Sequence, residues 1–279
     1  MLNLQVKMKI GYYIKKETLK GDVRIENLLG RLKAGGVDLY EILSSSSCRE
    51  DTAMVLSFGG DGTFLSAAHR VCEAGLPILG INFGRMGFLA ANSTEDIVDA
   101  VLNGRWDIEE LDMLKIDCEG AGLEGFWPYA LNEVGLHRDT AAMLGVDVKI
   151  GGKALPTYWA DGLLVATSAG STAYSLSAGG PICLPSAPVR IITPVAPHNL
   201  NLRPLVVPRD AEVELRGRSR HGSMILSLDN RSYRVPCGAT VRTGAAPFPL
   251  RRVSLGKSNF IDALKSRFFW GQDVRNTAE

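Results

Sequence analysis

The chain has 279 residues, 46% of them hydrophobic, with 31 Lys+Arg against 30 Asp+Glu, enough for one large domain or two ordinary ones with a sizeable core. A net charge of +1 argues against a general nucleic-acid binder, and no apolar run reaches the roughly 18 residues of a membrane-spanning helix, so a cytoplasmic protein is expected. The five cysteines (Cys48, Cys72, Cys118, Cys183 and Cys237) are scattered without a C-x-x-C pair and the four histidines are dispersed, which gives no zinc pattern and little support for a Ser-His-Asp triad.

Taken in order, residues 6–14 read as a strand and 23–34 as a helix with Leu28, Leu29 and Leu32 on one side. Residues 53–58 read as a buried strand and 63–74 as a helix stopped by Gly75. Residues 76–81 form the next strand, after which Ser93 caps a helix with Glu95 and Asp96 in its first turn and Gly104 at its end. Such alternation favours a parallel sheet covered by helices, with ligands beyond the carboxyl ends of the strands. Past residue 111 the pattern changes to short alternating strands: 146–150 before a Gly151-Gly152 turn, then 211–215, 223–228 and 239–243. Residues 259–270 regain helical spacing through Phe260, Leu264 and Phe268. The expected architecture is an α/β Rossmann-like domain over 8–110 and a β-rich, sandwich-like domain over 111–255, with a helical tail over 256–279 that packs back on the first domain. Residues 190–279 hold 15 Lys+Arg against 7 Asp+Glu, a bias that suits polyanionic small substrates and equally suits solvated arginines on exposed strands.

The junction of the 53–58 strand with the following helix reads Gly59-Gly60-Asp61-Gly62-Thr63. Glycines let the backbone approach a ligand closely, and a helix start offers unpaired N–H groups and a positive dipole end, so the turn is an anion cradle. Its glycine spacing fits neither the dinucleotide fingerprint nor the lysine-bearing phosphate loop, and a glycine-rich turn of this kind also occurs for purely structural reasons. The carboxylate in its middle would repel phosphate unless a metal or a substrate hydroxyl stands between them, which points to phosphoryl transfer.

Further on, Asp161 and Gly162 open a buried strand, and residues 167–177 are rich in small hydroxyl side chains suited to close contact with a polar ligand or to tight packing. Asp161 has the chemistry of ribose recognition, and Tyr174 offers a stacking face. Asn132 and Glu133 lie side by side in an apolar stretch; in a strand they face opposite ways, so one is expected to be buried and to need a partner.

Together these segments resemble the NAD kinase family, also called ATP-NAD kinase, over residues 9–207. The matching pieces are Gly59-Gly60-Asp61-Gly62-Thr63, Gly80-Ile81-Asn82 with Gly87-Phe88-Leu89, Asn132-Glu133, Asp161-Gly162, the run from Gly170 to Pro181, and Ile192-Thr193-Pro194 with Arg203-Pro204-Leu205. The glycine-aspartate loop alone is shared with diacylglycerol-type, sphingosine-type and phosphofructokinase-like kinases; the later motifs narrow it.

The resemblance implies a two-domain phosphotransferase with NAD lying between the domains, which moves the γ-phosphoryl group of ATP to the 2′-hydroxyl of the adenosine ribose of NAD. It implies Asp61 as the catalytic residue and Gly59, Gly60, Gly62 and Thr63 as the phosphate loop. It implies NAD contacts from Asp61, Gly62, Asn132, Glu133, Asp161, Thr172, Ala173, Tyr174, Ser175, Leu176 and Ser177. It also implies Mg²⁺ or another divalent ion, with ligands that the sequence leaves unassigned, and a homodimer or homotetramer. The chain departs from the family pattern at Thr167-Ser168-Ala169-Gly170-Ser171, at Tyr158-Trp159 and at Asp229-Asn230-Arg231, to which no role is carried over. A lipid or sphingoid kinase and a non-catalytic NAD(H)-binding regulator are the competing readings. A lipid kinase needs an apolar groove, for which the hydroxyl-rich stretch over 168–177 is a poor lining.

Overall fold

A computed structural model of the chain describes residues 8–84, 87–90, 92, 97–256 and 260–268. The chain divides into two compact units, residues 1–110 with 250–279, and residues 111–249. The first unit opens with β1 (Lys9–Ile14), α1 (Val23–Ala34), β2 (Asp38–Glu41) and β3 (Thr52–Phe58). It continues through α2 (Asp61–Val71), β4 (Ile78–Ile81), α3 (Ile97–Leu102) and β5 (Asp107–Leu111). Asp22 caps α1 by accepting from the Arg24 N–H at 2.9 Å, and Ile25, Leu28 and Leu32 form its buried stripe. The expected cap at Ser93 lies outside the described residues.

The second unit contains β6 (Leu114–Glu119), β7 (Tyr129–Ala130), β8 (Glu133–Arg138), β9 (Leu144–Ile150), β10 (Lys153–Ala154), β11 (Tyr158–Ala160) and β12 (Gly162–Thr167). The short helix α4 (Tyr174–Ser177) follows, then β13 (Val189–Val195), β14 (Leu205–Pro208), β15 (Val213–Arg218), β16 (Ser223–Leu228), β17 (Arg231–Pro236) and β18 (Thr240–Ala245). Gly151 and Gly152, both at positive φ (53° and 77°), make the expected two-residue turn between β9 and β10.

Two antiparallel sheets result. One runs β10-β9-β15-β18-β6-β7 with β11 on β9, and the other runs β14-β13-β12-β8-β16-β17. Alternate residues from both sheets, among them Val146, Leu215 and Val241 from one and Val134, Leu136, Leu163, Val165 and Leu226 from the other, share one buried core. This is the expected sandwich. The opposite face of β12 is buried as well.

The chain then returns to the first unit through β19 (Leu250–Ser254) and the helix α5 (Phe260–Phe268). The first sheet is ordered β2-β1-β3-β4-β19-β5, with β1, β2, β3, β4 and β19 paired in parallel. Phe260 of α5 packs its ring against Phe88 at 5.8 Å between centroids, so the tail returns as expected, although Asn259, Phe269 and Trp270 lie outside the described residues.

The connection leaving β12 approaches the entry to β8 so closely that a Cβ at Gly170 would overlap the Asn132 carbonyl. Gly170→Ala should therefore lower unfolding stability by about 1–3 kcal/mol in urea denaturation, the usual cost of overpacking. A change below about 0.5 kcal/mol, ordinary for a surface site, would contradict this contact.

Candidate active site

The turn after β3 is built by three constraints. Gly59 sits at φ 153°, where an added Cβ would run into the Thr63 side chain, and its N–H donates to the Ile81 carbonyl at 2.9 Å. Gly60 is the N-cap, its carbonyl accepting from the Thr63 and Phe64 N–H groups at 2.9 and 3.1 Å. The helix begins at Asp61 rather than at Thr63, because Gly60 already starts the ladder. That places the Asp61 carboxylate in the first helical turn, where a negative charge is favoured.

Asp61 is half-buried and faces the segment after β4. The Phe88 N–H donates to Oδ2 at 2.8 Å, while the Leu89 and Ala90 N–H groups donate to Oδ1 at 3.0 and 2.9 Å. A Cβ at Gly87 would overlap the carboxylate, and one at Gly80 would lie 2.7 Å from the Leu89 carbonyl, so both glycines are required for this approach. Arg252 holds the same segment from the other side, donating from Nη1 to the Phe88 carbonyl at 3.0 Å while pairing with Glu109. At the carboxyl end of β1, Lys15 donates from Nζ to Ser66 Oγ at 2.9 Å, and Ser66 donates to the Gly62 carbonyl at 3.0 Å. Lys15 thus places a cation beside the first turn of α2.

In the second unit, Asn132, Glu133 and the 168–177 segment come together. Thr167 donates its N–H to the Asn132 carbonyl at 2.8 Å and its hydroxyl to the Leu131 carbonyl at 2.6 Å. Ser175 is fully buried with its hydroxyl on Thr193 at 2.8 Å, which pins α4 to β13. Tyr174 and Ser177 are exposed, and Thr172, Ala173 and Leu176 are half-buried. Asp161 lies at the other end of β12 from Asn132 and Glu133, a six-residue strand that spans about 20 Å, and next to Gly162, which faces His137 across the sheet. Its carboxylate accepts from Arg138 Nε at 3.0 Å.

Both Asn132 and Glu133 are buried, at 8% and 7% exposure, where alternation along a strand predicts one. The cause is Asp229, which sits at φ 50° in the two-residue turn between β16 and β17. Its carboxylate accepts from the N–H groups of Leu131, Asn132 and Glu133 at 2.9, 2.7 and 3.2 Å and turns this backbone inward just before β8 begins. Arg231 completes the anchor by donating to the carbonyls of Trp127 and Tyr129. The Asp229-Asn230-Arg231 triplet is therefore the device that shapes the Asn132-Glu133 corner. The available sequence signal was an acid in a two-residue turn between alternating strands, and turn chemistry alone accounts for such an acid.

Burial, with the nearby Asp229 charge second, pushes the Glu133 carboxyl up to about 8, against the Tyr174 N–H that donates to it. Its Oε2 has no hydrogen-bond partner among the described residues. Burial also lifts Asp229, but three N–H donors and Arg231 act against that lift, so the charge of the pair resides on Asp229 and the proton on Glu133. Burial holds His137, on the same face of β8, below its ordinary value and keeps the ring neutral.

Two consequences can be measured. A raised carboxyl pKa leaves the folded state protonated while the unfolded chain ionises. Stability from Glu133 is therefore full below about pH 4.5, falls as pH rises, and is lost by about pH 8. Glu133→Gln should remove that slope, gaining on wild type by a few kcal/mol between about pH 5 and 8 in paired denaturation curves; parallel curves would contradict the assignment. Asp229→Asn leaves one acceptor oxygen for three donors, so stability should drop by about 1.5–3 kcal/mol. With the charge gone, Glu133 should titrate lower by NMR, and an unchanged Glu133 midpoint would show that Asp229 does not act on it.

The chain matches described families over both units: residues 39–105 match the ATP-NAD kinase N-terminal domain and residues 131–254 the ATP-NAD kinase C-terminal domain. It is 44% identical over 231 residues to an NAD kinase of Bacteroides fragilis, covering 81% of this chain and 79% of that one. It is 35% identical over 272 residues to an NAD kinase of Cytophaga hutchinsonii, covering 95% and 92%. Among solved structures, an Archaeoglobus fulgidus NAD kinase in complex with ATP is similar at 27% identity and a TM-score of 0.69, covering 90% of this chain and 94% of that one. Yeast NADH kinase complexed with NADH shares the fold at 22% identity and a TM-score of 0.83, covering 98% and 91%. The chain belongs to the NAD kinase family, the enzymes that phosphorylate NAD at the expense of ATP.

Proposed function

We propose that Asp61 is the group that accepts the proton of the adenosine ribose 2′-hydroxyl of NAD as the γ-phosphoryl group of ATP is transferred to it. The observation that carries this reading is the uneven loading of the carboxylate: Oδ1 accepts two backbone N–H groups and Oδ2 accepts one from the described residues. A carboxylate has about four lone-pair positions, so Oδ2 keeps room for a hydroxyl while the other bonds fix the side chain. In the transfer, the 2′-oxygen forms a bond to the γ-phosphorus, the bond from that phosphorus to the β–γ bridging oxygen breaks, ADP leaves, and the hydroxyl proton passes to Asp61.

The protein's remaining work is positioning and charge neutralisation, because the transition state is loose. The backbone from Gly59 to Thr63 receives phosphate oxygens at the start of α2, and Lys15 supplies a positive charge beside it. Asn132, Glu133, Asp161 and the residues from Thr172 to Ser177 hold NAD, with the Tyr174 ring as a stacking face. Among the described residues no three His, Cys, Asp or Glu side chains gather as a metal site. Magnesium takes few protein ligands when phosphates are available, so a Mg²⁺ ion would ride on the ATP phosphates and would supply neutralisation of their charge.

We further place the enzyme in the cytoplasm as a homodimer or homotetramer. No helix among the described residues is long and apolar enough to cross a membrane, and all five cysteines are free thiols. Exposed Leu184, Leu200, Leu205 and Val206 on and near the edge strand β14 support self-association.

Purified protein supplied with Mg²⁺, ATP and NAD should form NADP, and parallel reactions with NADH or polyphosphate define the acceptor and donor ranges. Asp61→Asn should lose turnover by about 10²–10⁴-fold, the usual contribution of a positioned general base, while still binding NAD. Near-normal turnover in that variant would rule out the base assignment, and no product from wild type under any pairing would rule out the kinase.

A further inference from the structure

His137 lies on β8 four residues after Glu133, on the sheet face that does not enter the sandwich core, where Val134 and Leu136 point. Its ring occupies room that two glycines leave open. A Cβ at Gly135 would come within 2.5 Å of His137 Nε2 and 2.8 Å of Ser227 Oγ, and one at Gly162, its cross-strand partner, within 2.6 Å of Nδ1. Ser227 is directed to the Gly135 carbonyl at 3.4 Å and to His137 Nε2 at 2.9 Å. With the Ser227 hydroxyl donating to that carbonyl, Nε2–H is the donor to Ser227, and the plane of the imidazole is fixed.

The Tyr174 ring stacks on this fixed plane, 5.8 Å between centroids and 21° between planes, which is the offset arrangement that aromatic pairs favour. Tyr174 remains 43% exposed. Its backbone is held independently, by its own N–H on Glu133 and by the adjacent Ser175 hydroxyl on Thr193. The ring is therefore clamped on one side by histidine and open on the other. An exposed tyrosine restrained in this way loses little further freedom when a flat ligand group stacks on it, so the ordering cost of binding falls.

We propose that His137 is a positioning residue: through its ring on Tyr174 it presents the open tyrosine face to an aromatic base of the dinucleotide. The inference rests on the reading of Tyr174 as an NAD contact. His137 itself touches no reacting atom, so its effect belongs in dinucleotide binding and not in the transfer step.

The test is steady-state NADP formation with NAD varied at saturating ATP. His137→Ala should raise the KM for NAD about tenfold with kcat within about twofold, a loss of binding equal in ground and transition states. His137→Phe keeps a flat ring without the Ser227 bond and should hold KM within about threefold of wild type, the rescue that stacking predicts and a hydrogen-bonding role does not. In a Tyr174→Ala background, His137→Ala should add nothing, because the two residues act as one unit. An unchanged KM in His137→Ala, or effects that simply add in the double variant, would overturn the proposal. Fluorine NMR of fluorotyrosine-labelled protein without substrate, with Tyr174→Phe assigning the signal, reads the same coupling directly. The Tyr174 resonance should shift and narrow in His137→Ala, and an unmoved resonance would also overturn the proposal. Wild-type protein that made no NADP would instead sink the kinase reading while leaving this measurement decisive for the clamp.

Discussion

A carboxylate that accepts three consecutive backbone N–H groups is the interaction on which both halves of this protein depend. Asp61 gathers Phe88, Leu89 and Ala90, and Asp229 gathers Leu131, Asn132 and Glu133. Hydrogen bonds to a charged group are worth about 1.5–3 kcal/mol each when made, and a buried N–H left without one costs a similar amount. Three such bonds on one side chain are enough to hold a backbone segment in a conformation that no regular element would choose. Each clasp therefore converts a connecting segment into a rigid part of a binding surface, without recruiting a helix or strand for the purpose.

The two clasps load their oxygens alike, two N–H groups on one and one on the other, and differ in their setting. Asp61 stands at a helix start, where negative charge is favoured. At Asp229 the charge is enclosed, and its effect passes to a neighbour: Glu133 is buried beside it, with Oε2 unpartnered among the described residues, and keeps its proton. Asp229, with three N–H donors and Arg231, and Glu133, with the Tyr174 N–H, thus reach opposite charge states within one corner. Such divergence between paired acids is typical of functional sites, where polar groups are held unsatisfied until a ligand arrives.

Much of this was legible in the sequence because it follows from local rules. The helix with Leu28 and Leu32, the buried strand before Gly59, the Gly151-Gly152 turn and the alternation in β16 are all set by periodicity and turn chemistry, and each stands where those rules place it. The return of the tail was legible from Phe260, although its seat against Phe88 was not. What escaped were contacts between residues far apart in the chain. Nothing near position 229 announces that its carboxylate will reach residues 131–133, and nothing in the glycine-aspartate motif announces that Gly87 is needed to let Asp61 approach. α2 starts two residues before the position that periodicity predicts, for a related reason: glycine and aspartate have weak helix propensity, and the carbonyl of Gly60 overrides it. Asp161 stands at the far end of β12 from Asn132 and Glu133, beside Gly162, whose cross-strand partner His137 carries the Tyr174 ring.

Lys15, Asp229 and His137 share a feature that explains why pattern reading passed over them. Each acts through another group: Ser66 and the first turn of α2, the Asn132-Glu133 backbone, and the Tyr174 ring. Their chemistry becomes visible only when tertiary structure supplies the partner.

The central claim, that one carboxylate both clasps the 88–90 backbone and receives the ribose hydroxyl, is tested most directly by a crystal structure with NAD and a non-hydrolysable ATP analogue. The adenosine ribose 2′-oxygen should lie about 2.6–3.2 Å from Asp61 Oδ2, with the Phe88, Leu89 and Ala90 N–H groups still on the carboxylate. A 2′-oxygen directed to another side chain, or an Asp61 that must release the 88–90 segment to reach it, would contradict it.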